Sequence, residues 1–300
     1  MPTRCFNCIS IQDGQMSKSS ETNPQKIRAE YLWMKNISEI DSLKKYVPEN
    51  LSFDDEVLSM KYYPQGDLGS QFLNKTSLKE VESTIKDLLN IFSDFKKVKV
   101  RDKDIDFNKM YSAKTTKRLR DNPFFGKYNY YLVNGKVIND INMPLVIDKC
   151  KELDQTYDIG VVHGDFFFSN ILRSEDGYKL IDPRGSFGGE PSIYGDRRYD
   201  LAKLRHSISG GYDYIINNKY TLSYNNNIVD YKIKFNYDSQ KATDYFDKQI
   251  RYMGYNTEDI KFIEGLLFLT MIPLHKESLE HQLLFYMTAL EKLECVYDYR

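Results

Sequence analysis

Three polar side chains in the stretch 161–189, VVHGDFFFSNILRSEDGYKLIDPRGSFGG, have the types and spacing to handle a phosphoryl group. Asp165 and Asn170 stand in HGDFFFSN, and Asp182 follows a short apolar run. Moving a γ-phosphoryl group asks a protein for positioning and charge neutralisation more than for covalent help. Magnesium prefers oxygen ligands, so Asp182 reads as a carboxylate ligand and Asn170 as a carboxamide-oxygen ligand. Asp165 would accept the proton of an attacking hydroxyl, a role worth about 10²–10⁴-fold in rate.

These residues need elements to hold them. Residues 159–162 and 178–181 read as short β-segments, with Glu175, Asp176 and Gly177 as the turn between them, an arrangement that would set both polar ends on one side of a cleft. Upstream, Asp13-Gly14 is a hairpin signal joining strands over 4–12 and 15–19, the second carrying Lys18. A helix over 25–36 carries Glu30, and residues 57–63, with Met60 and Tyr62, form an apolar strand that ends at Pro64-Gln65-Gly66. The spacing of Leu78, Val81, Ile85, Leu88, Leu89 and Phe92 predicts a packing helix over 77–95. In the basic segment 111–120, Lys114 and Arg118 share one helical face. That face is either a solvated charge run or a holder of an anionic substrate. Asn134-Gly135 is a further hairpin turn, and 144–154 a helix leading towards the loop of Asp165. Asp200 opens the helix DLAKLRHSI, where it would cap the helix and accept hydrogen bonds from the loop backbone. An insert of strand character over 220–235 precedes helices over 239–252, 257–274 and 278–297.

HGDFFFSN keeps the Asp-to-Asn spacing of the protein-kinase catalytic loop, and IDPRG stands where the metal-binding D-F-G would follow. With Gly164 in place of the kinase arginine, the chain resembles the aminoglycoside phosphotransferase and choline kinase group of small-molecule kinases. YGDRRYDLAKL resembles fructosamine kinases of the same superfamily. IDPRG, with the KT..RL of the basic segment, is similar to phosphotransferase-like proteins associated with bacterial surface-polysaccharide synthesis. The resemblance implies an α+β, two-lobed protein-kinase-like fold, with a nucleotide-binding lobe over 1–63 and a large, mainly helical lobe over 64–300. It further implies ATP and magnesium, with Lys18 steadying the phosphates and Glu30 orienting Lys18. Met60 and Tyr62 would line the adenine pocket, and His163 would hold the catalytic loop. Lys114, Arg118 and Arg184 become contacts for substrate or phosphate; Arg184 equally suits an acidic neighbour in its loop. No glycine-rich phosphate loop precedes Lys18, so either the first strands are reduced or the Asp13-Gly14 turn covers the phosphates.

Bulk composition narrows the classes. Of 300 residues, 41% are hydrophobic and 28% charged, the make-up of an ordinary globular chain, and the net charge of −1 offers no global attraction to nucleic acid or anionic lipid. Neither a signal peptide nor a membrane span is read, so a cytoplasmic location is expected. Cys5 and Cys8 form a lone C-x-x-C without a second pair, and four scattered cysteines make no disulfide scaffold. The leading reading is an ATP-dependent kinase acting on a hydroxyl of a sugar, sugar derivative or amino alcohol. The alternative is a kinase-like protein that binds nucleotide or ligand without transfer. A protein kinase fits less well, because no A-P-E segment follows IDPRG.

Overall fold

The computed structural model describes residues 8–74, 76–100, 110–120, 122–187 and 190–294. An Asp-Gly pair suits a two-residue turn with positive φ at both positions. Asp13 (φ 52°) and Gly14 (φ 74°) accordingly close β1 (Cys8–Gln12) onto β2 (Gln15–Ser19). Asn23 caps α1 (Pro24–Ser38) through its side chain, and Pro24 occupies the first helical turn, where a missing N–H costs nothing. β3 (Ser52–Asp54) and β4 (Val57–Lys61) complete an antiparallel sheet of order β1-β2-β4-β3, with α1 packed against β2, β3 and β4.

After Pro64 the chain turns mainly helical. α2 (Leu68–Phe72) precedes α3 (Leu78–Lys97), which Ser77 and Glu80 start with a reciprocal capping box and which buries Val81, Ile85, Leu88, Leu89 and Phe92. α4 (Met110–Leu119) carries the basic segment. β5 (Tyr130–Val133) and β6 (Lys136–Asn139) turn at Asn134-Gly135, and α5 (Met143–Gln155) leads into β7 (Ile159–Val161). Next come β8 (Ile171–Ser174), β9 (Gly177–Leu180), β10 (Ser186–Phe187), β11 (Glu190–Pro191) and β12 (Tyr194–Asp196), then α6 (Arg197–Ile208) and α7 (Tyr212–Ile216). The hairpin β13 (Tyr220–Asn225) and β14 (Ile228–Ile233) adds in parallel to β5, extending that hairpin to a four-stranded sheet. α8 (Ser239–Tyr252), α9 (Thr257–Met271) and α10 (Leu279–Leu293) follow. α9 lies between α6 and α10 and buries Ile260, Phe262, Ile263, Leu266, Leu267 and Phe268, each side chain contributing about 1.5–3 kcal/mol.

Several expectations are corrected. β9 pairs with β8, not with residues 159–162, while β7 pairs with β12. The turn itself carries the reason: Ser174 faces Gly177, so a loop of Glu175 and Asp176 can join only the strand immediately before it. α6 starts at Arg197, and its cap is Asp196, whose side chain accepts from the Arg198 N–H; Asp200 lies inside the first turn. The helix expected over 257–274 ends at Met271 and tightens into a 3-10 turn over Ile272–Leu274, because Pro273 has no N–H to continue it. The expected strand over 4–12 and helix over 278–297 run beyond the described residues, as do Cys5 and Cys295; Cys8 is exposed and Cys150 buried. No helix among the described residues is long and apolar enough to cross a membrane.

Candidate active site

Lys18 sits in β2 opposite Ile9 and Leu58 and is 2% exposed. A lone ammonium buried to that extent would be prohibitively costly, so it must be paired. Its Nζ lies 2.7 Å from Glu30 Oε2 and 2.7 Å from Asp182 Oδ1. Burial pulls its pKa down, but Asp182 and Glu30 outweigh burial and hold it above the ordinary lysine value. Glu30, on α1, is pushed up by burial and by the neighbouring Asp182 carboxylate.

Asp182 holds a φ of 54°, a conformation that costs a non-glycine residue about 1–3 kcal/mol and is retained only when the surroundings impose it. Here the Ile181 N–H donates to the Asn170 carbonyl at 3.0 Å, tying the end of β9 to the start of β8. Gly185 (φ 70°) then passes so close to α1 that a Cβ would stand 2.6 Å from the Ala29 carbonyl oxygen. Gly164 (φ 76°) is equally confined, its absent Cβ falling 2.6 Å from Arg184 Cβ. Only glycine satisfies both constraints. Trp33 Nε1 donates to the Val162 carbonyl at 2.8 Å, a second tie between α1 and the loop that carries Asp165.

Within that loop Asp200 accepts the N–H of His163 and of Gly164, each at 2.7 Å, which is the loop-bracing part of its expected role. Burial nevertheless pushes its carboxyl up to about 7. His163 is fully buried, packs edge-on to Trp33 with 5.2 Å between ring centroids, and accepts the Asp165 N–H through Nδ1. Burial drives it down to about 4, so it is neutral near pH 7. Asp165 is 2.6 Å from Lys203 Nζ. Burial would raise this carboxyl, but the Lys203 ammonium holds it below the usual carboxylate range. Asn170 donates through Nδ2 to the carbonyl of Asp165 at 3.0 Å and to its carboxylate at 3.2 Å.

Magnesium would suit this donor set. With Nδ2 of Asn170 committed to Asp165, its Oδ1 is the atom left for a hard cation, and the Asp182 carboxylate is 36% exposed beside a single shared ammonium. The residues thus supply one carboxylate and one amide oxygen, and leave room for phosphate and water oxygens.

The remaining expected residues distribute as follows. Met60 is buried opposite Met16 in the sheet; Tyr62 is 39% exposed, and its N–H donates to Gly14 at 2.8 Å. The Asp13-Gly14 turn therefore lies beside Tyr62, at the far end of β2 from Lys18, about 13 Å away along the strand. The turn and Lys18 thus stand at opposite ends of the hairpin. Lys114 and Arg118 are half-buried rather than solvated: Lys114 Nζ donates to the Tyr199 hydroxyl at 2.8 Å and Arg118 to the Thr270 carbonyl at 2.6 Å. Arg184 bonds the Ser186 carbonyl at 3.0 Å and the Tyr199 hydroxyl at 3.3 Å; no acidic loop partner is recorded among the described residues. Sequence reasoning missed Lys203, Tyr199 and Trp33. Lys203 was within reach, since it lies three residues after Asp200 on one helix face.

The sequence matches no protein-family model and no curated protein. The fold does match solved structures. A choline/ethanolamine kinase family protein from Mesorhizobium loti superposes with a TM-score of 0.52 at 10% identity, over 98% of this chain and 84% of the other. Choline kinase LicA from Streptococcus pneumoniae gives 0.50 at 13% identity, over 96% and 89%. The aminoglycoside phosphotransferase APH(2")-IIa, in its ternary complex with streptomycin and ATP, gives 0.52 at 13% identity, over 91% and 87%. The chain has the α+β protein-kinase-like fold of small-molecule kinases.

Proposed function

We propose that the protein is an ATP- and magnesium-dependent phosphotransferase that moves a γ-phosphoryl group to a hydroxyl of a small metabolite. The observation that carries this reading is the junction of Asp165 and Asn170, 3.2 Å apart, with the buried Lys18–Glu30–Asp182 group through the Asn170–Ile181 hydrogen bond. Residues 1–63 form the nucleotide-binding lobe and 64–300 the catalytic and acceptor lobe in this reading. ATP is favoured as donor because a neighbour of the same fold is an ATP complex.

Magnesium, held by Asp182 and Asn170, would offset the charge of the phosphates. Lys18, kept charged and fixed by Glu30, steadies the phosphate oxygens. Asp165, kept ionised by Lys203, orients the acceptor hydroxyl and takes its proton as transfer proceeds. His163, Asp200 and Trp33 hold the loop in place without touching the reacting atoms. Met60 and Tyr62 line the adenine side; the adenine edge meets backbone groups other than the Tyr62 N–H, which Gly14 already occupies. Sugars, sugar derivatives and amino alcohols are the acceptor classes, on a route to surface polysaccharide if the IDPRG and KT..RL resemblance carries function. An intact Asp165, Asn170 and Asp182 set argues for transfer over mere binding. Release of ADP from ATP and magnesium, dependent on one acceptor from such a panel, is the expected result; nucleotide binding without turnover on any acceptor would overturn the reading in favour of a binding protein.

A further inference from the structure

Beside Asp165 lies a group of cations that, among the described residues, has too few anions. Tyr199, 3% exposed, projects from α6 one turn before Lys203. Its hydroxyl accepts from Lys114 at 2.8 Å and from Arg184 at 3.3 Å, and both cations also lie over its ring, Lys114 Nζ 5.1 Å and Arg184 Cζ 5.7 Å from the centroid. Arg118 sits one turn beyond Lys114 on α4. Among the described residues, the hydrogen bonds of Lys114, Arg118 and Arg184 end on backbone carbonyls or on the Tyr199 hydroxyl, none on a carboxylate. Like charges gathered in a half-buried space repel strongly unless something opposes them. Burial, Arg184 and Arg118 together push Lys114 down to about 8. Burial would raise the Tyr199 phenol, yet Lys114, Arg184 and Lys203 bring it down to about 7.

We propose that the acceptor is an anionic alcohol, bearing a carboxylate or a phosphate monoester, and that Lys114, Arg118 and Arg184 receive its anionic group at the Tyr199 hydroxyl. This deepens the phosphotransferase reading and rests on it. The geometry sets the span: Tyr199 and Lys203 are one helical turn apart, about 5–6 Å between their Cβ atoms, and Lys203 holds Asp165. Arg184 packs against Gly164, next to Asp165. A hydroxyl at Asp165 and an anion at Tyr199 would meet neighbouring positions of α6, so small acceptors, a short polyol or one sugar ring, are the ones to test. The gap behind Lys114 and Tyr199, towards α9, holds no more than a single water, too little for a carboxylate or phosphate, and in this proposal the anion enters from the Asp165 side. A cationic acceptor would meet Lys114, Arg118 and Arg184 as repulsion.

The test pairs acceptors that differ only in charge: glycerol against glycerate and glycerol phosphate, and a free hexose against its uronate and its 6-phosphate. ADP release is read with ATP and magnesium, and thermal shift with and without ADP. The anionic members are expected to stabilise the full chain and to turn over with the higher kcat/KM, and the better of carboxylate and phosphate names the class. Losing one charge-assisted contact should raise KM for the anionic acceptor about 10–100-fold in Lys114→Met, mainly in KM rather than kcat. Lys114→Arg should recover most of it, which separates lost charge from lost folding. Lys18→Met should lose nucleotide stabilisation and keep stabilisation by the anion. The reverse pattern, with anion binding lost in Lys18→Met and kept in Lys114→Met, would overturn the proposal. So would preference for the neutral members or for choline, or no thermal response to any anionic member. If the anion stabilises the protein through Lys114 but ATP never binds, the phosphotransferase reading fails and the anion site stands.

Discussion

Two charged groups flank the loop of Asp165, and their charges are matched to different degrees. Around Lys18 the carboxylates of Glu30 and Asp182 share its buried ammonium, and Lys26 adds a half-exposed second ammonium 3.5 Å from Glu30. Around Tyr199 the cations Lys114, Arg118, Arg184 and Lys203 share, among the described residues, a phenol and the carboxylate of Asp165. The first group leaves one carboxylate, Asp182, 36% exposed, and the second, among the described residues, is short of negative charge. A folded protein pays for unmatched charge in stability, which makes that charge a pointer to what each side is built to meet. In the proposed function the exposed carboxylate of Asp182 meets a divalent cation with its phosphates, and in the further proposal the Tyr199 side meets an anion.

The comparison breaks first at Asp165, which stands between the groups. Asp165→Ala should lower acceptor-dependent turnover by about 10²–10⁴-fold while nucleotide still raises Tm; full turnover in this variant would remove Asp165 from the chemistry. Asp182→Ala acts on the Lys18 side alone and should abolish the magnesium-dependent part of the nucleotide stabilisation, about 2.7 kcal/mol at a nucleotide concentration 100-fold above Kd. An unchanged magnesium response would mean that the metal is held elsewhere. Trp33→Phe leaves the Val162 carbonyl without its partner and should cost about 1–3 kcal/mol in denaturant unfolding, against no loss if the bond were incidental. The subtlest effect is on pH. Because Lys203 outweighs burial at Asp165, Lys203→Met should let burial dominate and raise the Asp165 pKa, moving the acid limb of the kcat profile to higher pH. A limb that stays in place would show that Lys203 does not set the charge of Asp165.

The sequence was most readable where one residue type meets one local demand. Asp13-Gly14 and Asn134-Gly135 announced their hairpins because both need positive φ, and Ser77 with Glu80 announced α3 because a capping box is local. Asp165, Asn170 and Asp182 stood out by type and spacing, and the structure brings Asp165 and Asn170 together; Asp200 was read as a helix start, and its bonds to the loop are the part of that reading the structure keeps. What escaped was set by tertiary packing. β8 was hidden because ILRS shows no long apolar alternation, and its identity follows only from the length of the turn after it. Lys114 stayed between a solvated charge and a substrate contact because nothing local says that Tyr199, 85 positions later, will meet it. Trp33 is in the same position, since its partner is a carbonyl on a distant loop.

Trp33 has a practical consequence as well. It is the chain's one tryptophan, buried at 2% exposure between α1 and the loop of Asp165, with its indole N–H on Val162 and its ring beside His163. Intrinsic fluorescence excited at the red edge of protein absorbance therefore comes from a single place, the seam between the two charged groups. A closing of the cleft around nucleotide or acceptor would register there as a change in emission, without any label attached.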